Sequence, residues 1–192
     1  MKIEIDINSN TKNFIKKWSD LYFYNLEDLY SLNIEKSLDN FDGFLNMFRW
    51  KNGIKKISKR KVETIEGFWK RKEVLLSLRD SFNWELFEKE FNPGQSSAIW
   101  KIFLLHLVNP IDYPVFDMHV YRFHHFISNG EIKEIKENQA FKYNYYKNTY
   151  LPWFIELRDS EKLNPKKMDE CFFKFGQILK PLKGVPLNLI LS

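Results

Sequence analysis

Phe91-Asn92-Pro93-Gly94-Gln95-Ser96-Ser97-Ala98, the apolar run Ile99 to Val108, and Asn109-Pro110-Ile111-Asp112-Tyr113-Pro114-Val115-Phe116-Asp117-Met118-His119-Val120-Tyr121-Arg122 form one continuous stretch. Its reading decides the fold. Pro93-Gly94 breaks the chain, and Ser96 or Ser97 can cap the helix beyond the break. Ile99, Ile102, Phe103, Leu105, Leu107 and Val108 are apolar nearly all round a helix, which predicts that this helix is buried. Pro110 and Pro114 make a second break. Asp117 then stands where an N-cap would stand, and Val120, Phe123, Phe126 and Ile127 give the next helix one apolar stripe. The order is helix, tight hairpin, buried helix, proline loop, aspartate at a helix start.

Outward from this stretch the chain reads as helices with weak ends. Residues 1–8 alternate apolar and polar, as do Val185, Leu187, Leu189 and Leu191, so a short strand pair at the termini is expected. Thr11 can cap a helix over 12–24, Leu26 to Leu38 reads as a second, and Asp39 or Asp42 can cap a third through Phe48. Leu75 to Ser81 is expected to extend the helical stretch before it. Asn83 caps Trp84 to Phe91, and Asn129-Gly130 stops the helix that Asp117 starts. Pro152 kinks or divides an aromatic helix over 138–158, and Pro165 opens the last long helix.

The central stretch resembles the helix-hairpin-helix DNA glycosylases. Their hairpin looks like Gly-x-Gly-x-Lys-x-Ala, and Asn92 to Ala98 matches it in order. Their aspartate segment looks like Pro-x-x-Asp-x-His-Val-x-Arg; Pro114, Asp117, His119, Val120 and Arg122 match every fixed position. Asn92 replaces the first glycine, which a turn tolerates. Ser96 replaces the lysine with which bifunctional members cleave the strand; adenine-excising members also carry serine there.

That resemblance implies an all-α, two-lobed fold with a cleft between the lobes. Residues 26–128 would hold the hairpin and Asp117, and residues 1–25 with 129–192 would form the second lobe. It implies a monofunctional glycosylase that hydrolyses the N-glycosidic bond of a flipped-out damaged or modified base, in DNA repair or in defence against modified phage DNA. A bifunctional glycosylase/lyase and a catalytically inactive DNA-binding module are the alternatives. Asp117 would be catalytic, with His119 and Ser96 in support. A helix N-terminus favours the Asp117 anion. Asn92, Gly94, Gln95 and Ser97 would hold a phosphate, with room for a structural monovalent cation and no other cofactor. Trp50, Lys51 or Asn52, ahead of Gly53, would fill the gap left by the flipped base, unless the segment is simply a glycine-capped helix end. Trp50, Trp69, Tyr145, Tyr146 and Trp153 are candidates to hold the base. Lys101 lies five residues past Ser96 and points elsewhere on the helix, so it does not replace the missing lysine.

Composition sets the outer limits. The chain has 192 residues, 44% of them hydrophobic and 17% aromatic, enough for a core. One cysteine, Cys171, excludes a disulfide framework and a four-cysteine metal or iron–sulfur site. His124 and His125 are adjacent and face different ways, so no metal site is expected. No signal peptide or membrane span is evident, and a monomeric, cytoplasmic, nucleoid-associated protein is expected. Net charge is +5, yet residues 51–72 alone carry nine basic side chains against two acidic, an excess of +7. Lys55, Lys56, Lys59 and Lys61 lie in this stretch, which can track the phosphates of double-stranded DNA.

Overall fold

The structure, a computed structural model, describes residues 10–91 and 97–184. Every regular element among them is helical, so the described residues are all-α. In order these are α1 (Thr11–Asp20), α2 (Glu27–Ser31), α3 (Phe41–Asn52), α4 (Lys59–Trp69), α5 (Lys72–Asp80), α6 (Trp84–Glu90), α7 (Ala98–Val108), α8 (Met118–Asn129), α9 (Gln139–Tyr145), a π-helical turn (Tyr146–Tyr150), α10 (Leu151–Glu161), α11 (Pro165–Leu179) and a 3-10 turn (Lys180–Leu182). The expected terminal strands and hairpin residues 92–96 lie outside the described residues.

Polar side chains set most helix starts. Asn83, Asp117, Asn138 and Asn164 each accept from a backbone N–H of the first turn. Asn10, not Thr11, caps α1, and Asn40, not Asp39 or Asp42, caps α3. α2 is far shorter than the expected 26–38. Asn33 donates to the Leu29 carbonyl and Ser37 to that of Ile34, local bonds that compete with helix propagation. α4 and α5 are separate helices, broken at Lys70-Arg71. Pro152 sits at the second position of α10, directly after the π-turn, where its missing N–H costs least.

The chain divides into two compact units, one from Met1–Tyr22 and Pro114–Ser192, the other from Phe23–Tyr113. The boundary therefore falls before Asp117, and α8 belongs with the terminal segments rather than with the hairpin helices. The cause is the apolar stripe of α8. Phe123 stacks on Phe172 of α11 with centroids 4.3 Å apart, and Phe175 meets Phe123, Phe126 and, edge-on at 4.8 Å, Trp18 of α1. Gly176 lets α8 and α11 touch: a Cβ there would run into the backbone carbonyl of His119.

In the central unit, α7 is buried from Trp100 to Val108, as its composition requires. Phe48 of α3 packs between Trp100 and Phe103, and Arg79 of α5 donates to the Leu107 carbonyl at the end of α7. His106 joins two partners. The Tyr113 carbonyl can only accept, so His106 Nδ1–H donates to it at 2.8 Å; Nε2 then accepts from the Tyr30 hydroxyl at 2.9 Å. The proline loop is thereby pinned to α7.

These contacts separate two glycines. Gly176→Ala should destabilise the fold by roughly 2–4 kcal/mol, because backbone must move to admit one methyl group. Gly67→Ala, in α4 with nothing within 4 Å of a new Cβ, should stabilise by about 0.5–1 kcal/mol. Urea unfolding of both variants checks the contrast; equal midpoints would contradict it.

Candidate functional site

Pro114 to Arg122 forms a compact structure in which each position matching the sequence pattern has a defined contact. The Pro114 carbonyl accepts from the Tyr146 hydroxyl at 3.3 Å, and the next amide, of Val115, donates to Asp169 Oδ2 at 3.3 Å. Asp117 is half-buried. Its Oδ1 accepts from the backbone amides of His119 at 2.8 Å and Val120 at 3.1 Å, so one oxygen of the carboxylate makes both caps of α8. Val120 is buried against the core.

Arg122 is 0% exposed, and its guanidinium is fully subscribed. Nε and Nη2 donate to Glu134 Oε1 at 3.0 and 2.9 Å, and Nη2 to Oε2 at 2.8 Å. Nη1 donates to the Gly176 carbonyl at 2.5 Å and to His119 Nδ1 at 3.1 Å. The hydrogen bonds from Arg122 hold the Glu134 carboxyl below its ordinary value. Burial pushes the His119 imidazole below its ordinary value; Asp117 opposes this and Arg122 adds to it. Glu134, in the loop after α8, carries no motif signal. Only its sign, opposite to a buried arginine, could have found it.

Beside Asp117 stands an aromatic wall. The Phe116 ring lies 5.2 Å from Tyr150, 5.5 Å from Tyr146 and 6.2 Å from Tyr145. The π-turn builds it: the Leu151 amide donates to the Tyr146 carbonyl, five residues back, and the extra residue re-aims the helix. Tyr146 and Tyr150 are fully buried, so Tyr146 is a core residue rather than a base-holding one. Tyr145 and Trp153 are half-buried. The Tyr145 hydroxyl is hydrogen-bonded to His124 Nδ1 at 2.6 Å, and Trp153 packs on the His124 ring at 4.6 Å.

The central unit carries the remaining candidates. Trp50 is 7% exposed; it packs on Tyr30 and Phe103, and its indole donates to Glu27 Oε2 at 3.1 Å. It is core, and not a side chain the surface presents. Asn52 donates to the Phe48 carbonyl and accepts from Lys61 at 2.8 Å, and Gly53 takes the left-handed conformation, φ 68°, that ends α3. The segment is thus a glycine-capped helix end. Lys51 is half-buried. The side chain this turn exposes is Ile54, at 41%, among the exposed Lys55, Lys56, Lys59 and Lys61; the signal missed was that a glycine cap turns the next residue outward. Trp69 is half-buried against Phe41 and Phe44, with Lys72 over its ring. Ser97 occupies the N-cap position of α7 without a side-chain capping bond. Lys101 is fully buried, its ammonium 5.4 Å from the Phe87 ring centroid. Asn92, Gly94, Gln95 and Ser96 fall outside the described residues.

Among the described residues no group of three or more His, Cys, Asp or Glu could hold a metal ion, and no helix is long and apolar enough to cross a membrane. Comparison of the chain with family models, with curated proteins and with solved structures gave no match.

His124, 3% exposed, gives the aromatic wall a pH dependence. Burial pushes its imidazole down to about 4, and His125 adds to the effect. In the unfolded chain it titrates near 6.5, so on acidification the unfolded state takes the proton first. The stability it contributes is complete above pH ~6.5 and is lost as pH falls toward about 4, on the order of 2–4 kcal/mol. Urea midpoints at pH 7, 6, 5 and 4 should fall less steeply for His124→Gln than for the wild type.

Proposed function

We propose that this chain is a monofunctional DNA N-glycosylase with Asp117 as its catalytic carboxylate. The observation that carries the reading is the Pro114–Arg122 segment. Its fixed positions hold one another rigidly, and the half-buried carboxylate they present stands next to an aromatic wall. All-α construction in two compact units supports it, as does the exposed lysine cluster of the central unit.

Breaking an N-glycosidic bond builds positive charge on deoxyribose, and a fixed carboxylate near C1′ stabilises it. Water oxygen bonds to C1′ as the C1′–N bond breaks, its electron pair leaving with the base. The proton of that water passes to Asp117 and on to solvent, and the departing base takes one from solvent. The half-buried Tyr145 and Trp153 offer faces for an extruded base. Deaminated, alkylated, oxidised and phage-modified bases are the substrate classes to screen. A lyase needs an accessible amine to form an imine with the sugar; serine at position 96 supplies none, and Lys101 is buried.

The test is incubation with a panel of modified duplexes, with released bases read by mass spectrometry. Asp117→Asn should abolish release, by at least ~10³-fold, while leaving duplex affinity within about threefold. The product should be an intact abasic strand, and borohydride should trap no covalent adduct in yield comparable to release. Wild-type turnover by the Asn variant would remove Asp117 from the chemistry.

Duplex affinity should also fall steeply with salt, since phosphate neutralisation releases counterions. Reversing Lys55, Lys56, Lys59 and Lys61 to Glu should weaken binding to every duplex alike and flatten the salt slope. Filter binding at several salt concentrations reads both, and an unchanged slope would take the cluster off the DNA surface.

A further inference from the structure

Tyr150 sets a problem that the fold around it does not solve. It is fully buried, and its hydroxyl has no hydrogen-bond partner among the described residues. An orphaned buried hydroxyl is destabilising, and phenylalanine would fill the same space without that cost. The residue closes the π-turn, a distortion that recurs at functional sites. Residues 114–117 pass across it. The Pro114 carbonyl accepts from Tyr146, the Val115 amide donates to Asp169 Oδ2 at 3.3 Å, the Phe116 ring packs 5.2 Å from that of Tyr150, and Asp117 follows. The titratable groups whose fields reach the Tyr150 hydroxyl are Asp169 of α11, Tyr146 of the π-turn, Asp117 at the head of α8 and Tyr145 of α9. His124 of α8 stands edge-on to its ring at 5.5 Å. Burial first, and Asp169 next, push this hydroxyl well above its ordinary value, so it keeps its proton and acts as a donor.

The needs of these groups identify what would join them. The phenol has a proton to give. The carboxylates of Asp169 and Asp117 only accept, each up to about four hydrogen bonds. A water molecule accepts from the phenol and donates one proton to each carboxylate. That makes three hydrogen bonds, the usual number for a buried water. A cation in the same place would offer the phenol proton no acceptor.

We propose that the Tyr150 hydroxyl holds a buried water that bridges the Asp169 and Asp117 carboxylates, which makes Tyr150 a positioning residue for Asp117. The catalytic consequence rests on the glycosylase reading; the bridge rests on the fold alone. Two amides of α8 hold Asp117 Oδ1, and the water holds the carboxylate from its buried side. A donor to the anion favours the charged form. Tyr150 is fully buried, so the water it binds is not the one that attacks the sugar.

Tyr150→Phe removes one oxygen atom. A high-resolution crystal structure of the wild type should show one water within hydrogen-bond distance of Tyr150 Oη and of both carboxylates, and that of the Phe variant should lack it. In carbon-13 NMR of the free protein, with the Asp117 carboxyl assigned by its loss in Asp117→Asn, Tyr150→Phe should move its titration to higher pH by about half a unit or more. On a duplex that releases a base, kcat should fall about tenfold and the acid limb of the pH–rate profile should move up by a similar amount, while duplex affinity stays within about twofold.

A wild-type crystal structure in which the hydroxyl meets a protein acceptor and no water overturns the bridge. An Asp117 titration that stays in place or moves to lower pH overturns the positioning role, and so does a Phe variant with wild-type kcat and an unshifted acid limb. A tyrosine that only supports the fold would lower the urea midpoint and would slow release equally at every pH. Should the Phe variant fail to fold, the wild-type crystal structure still decides the bridge. If no modified duplex yields a free base, the glycosylase reading fails, and the crystal structure and the titration judge the bridge without it.

Discussion

The terminal unit depends on the way one guanidinium is satisfied. Arg122 is buried, cannot lose its proton, and has five N–H groups to place. Glu134, His119 and the Gly176 carbonyl take them all. Gly176 serves twice: its carbonyl is one acceptor, and its missing side chain is what brings α11 close enough to α8 to offer it. Neither residue makes sense without the other. Removing Glu134 alone would strand a buried positive charge, a far larger cost than the pair contributes when intact.

The central unit solves a related problem with a neutral network. His106 lies among aromatic rings at the heart of α7, and its two nitrogens are committed to the Tyr30 hydroxyl and the Tyr113 carbonyl. Both units thus hold an unusually aromatic core, and both fix its register with one buried polar side chain whose every group is accounted for. Ring stacking is tolerant of small slips; hydrogen bonds of 2.5–3.1 Å are not.

The features visible in the sequence were those with local causes. Asp117, Asn83 and Gly130 act within a turn of their own positions, so residue type and spacing reveal them. Thr11 lost its capping role to Asn10 because two adjacent residues could both serve, and spacing does not rank them. The π-turn could not be read, because one extra residue changes the phase of the apolar pattern and no single period indexes both sides of it. The burial of Trp50 depends on Tyr30 and Phe103, which are far away in sequence. The unit boundary was misplaced for the same reason: the stripe on α8 announces a buried face without naming α11 as its partner. Glu134, the anchor of the site, sits in a charged loop that looks like any other.

The two kinds of positive charge in this chain answer differently to dissolved ions. Lys55, Lys56, Lys59 and Lys61 stand in water, where an ionic atmosphere damps their reach within about 8–10 Å. Arg122 meets its carboxylate at 2.8 Å from inside the protein, where mobile ions have little access. Moderate salt is therefore a selective reagent here. It damps the field of the lysine cluster and leaves the scaffold under Asp117 standing, so the charged surface and the buried network can be perturbed one at a time.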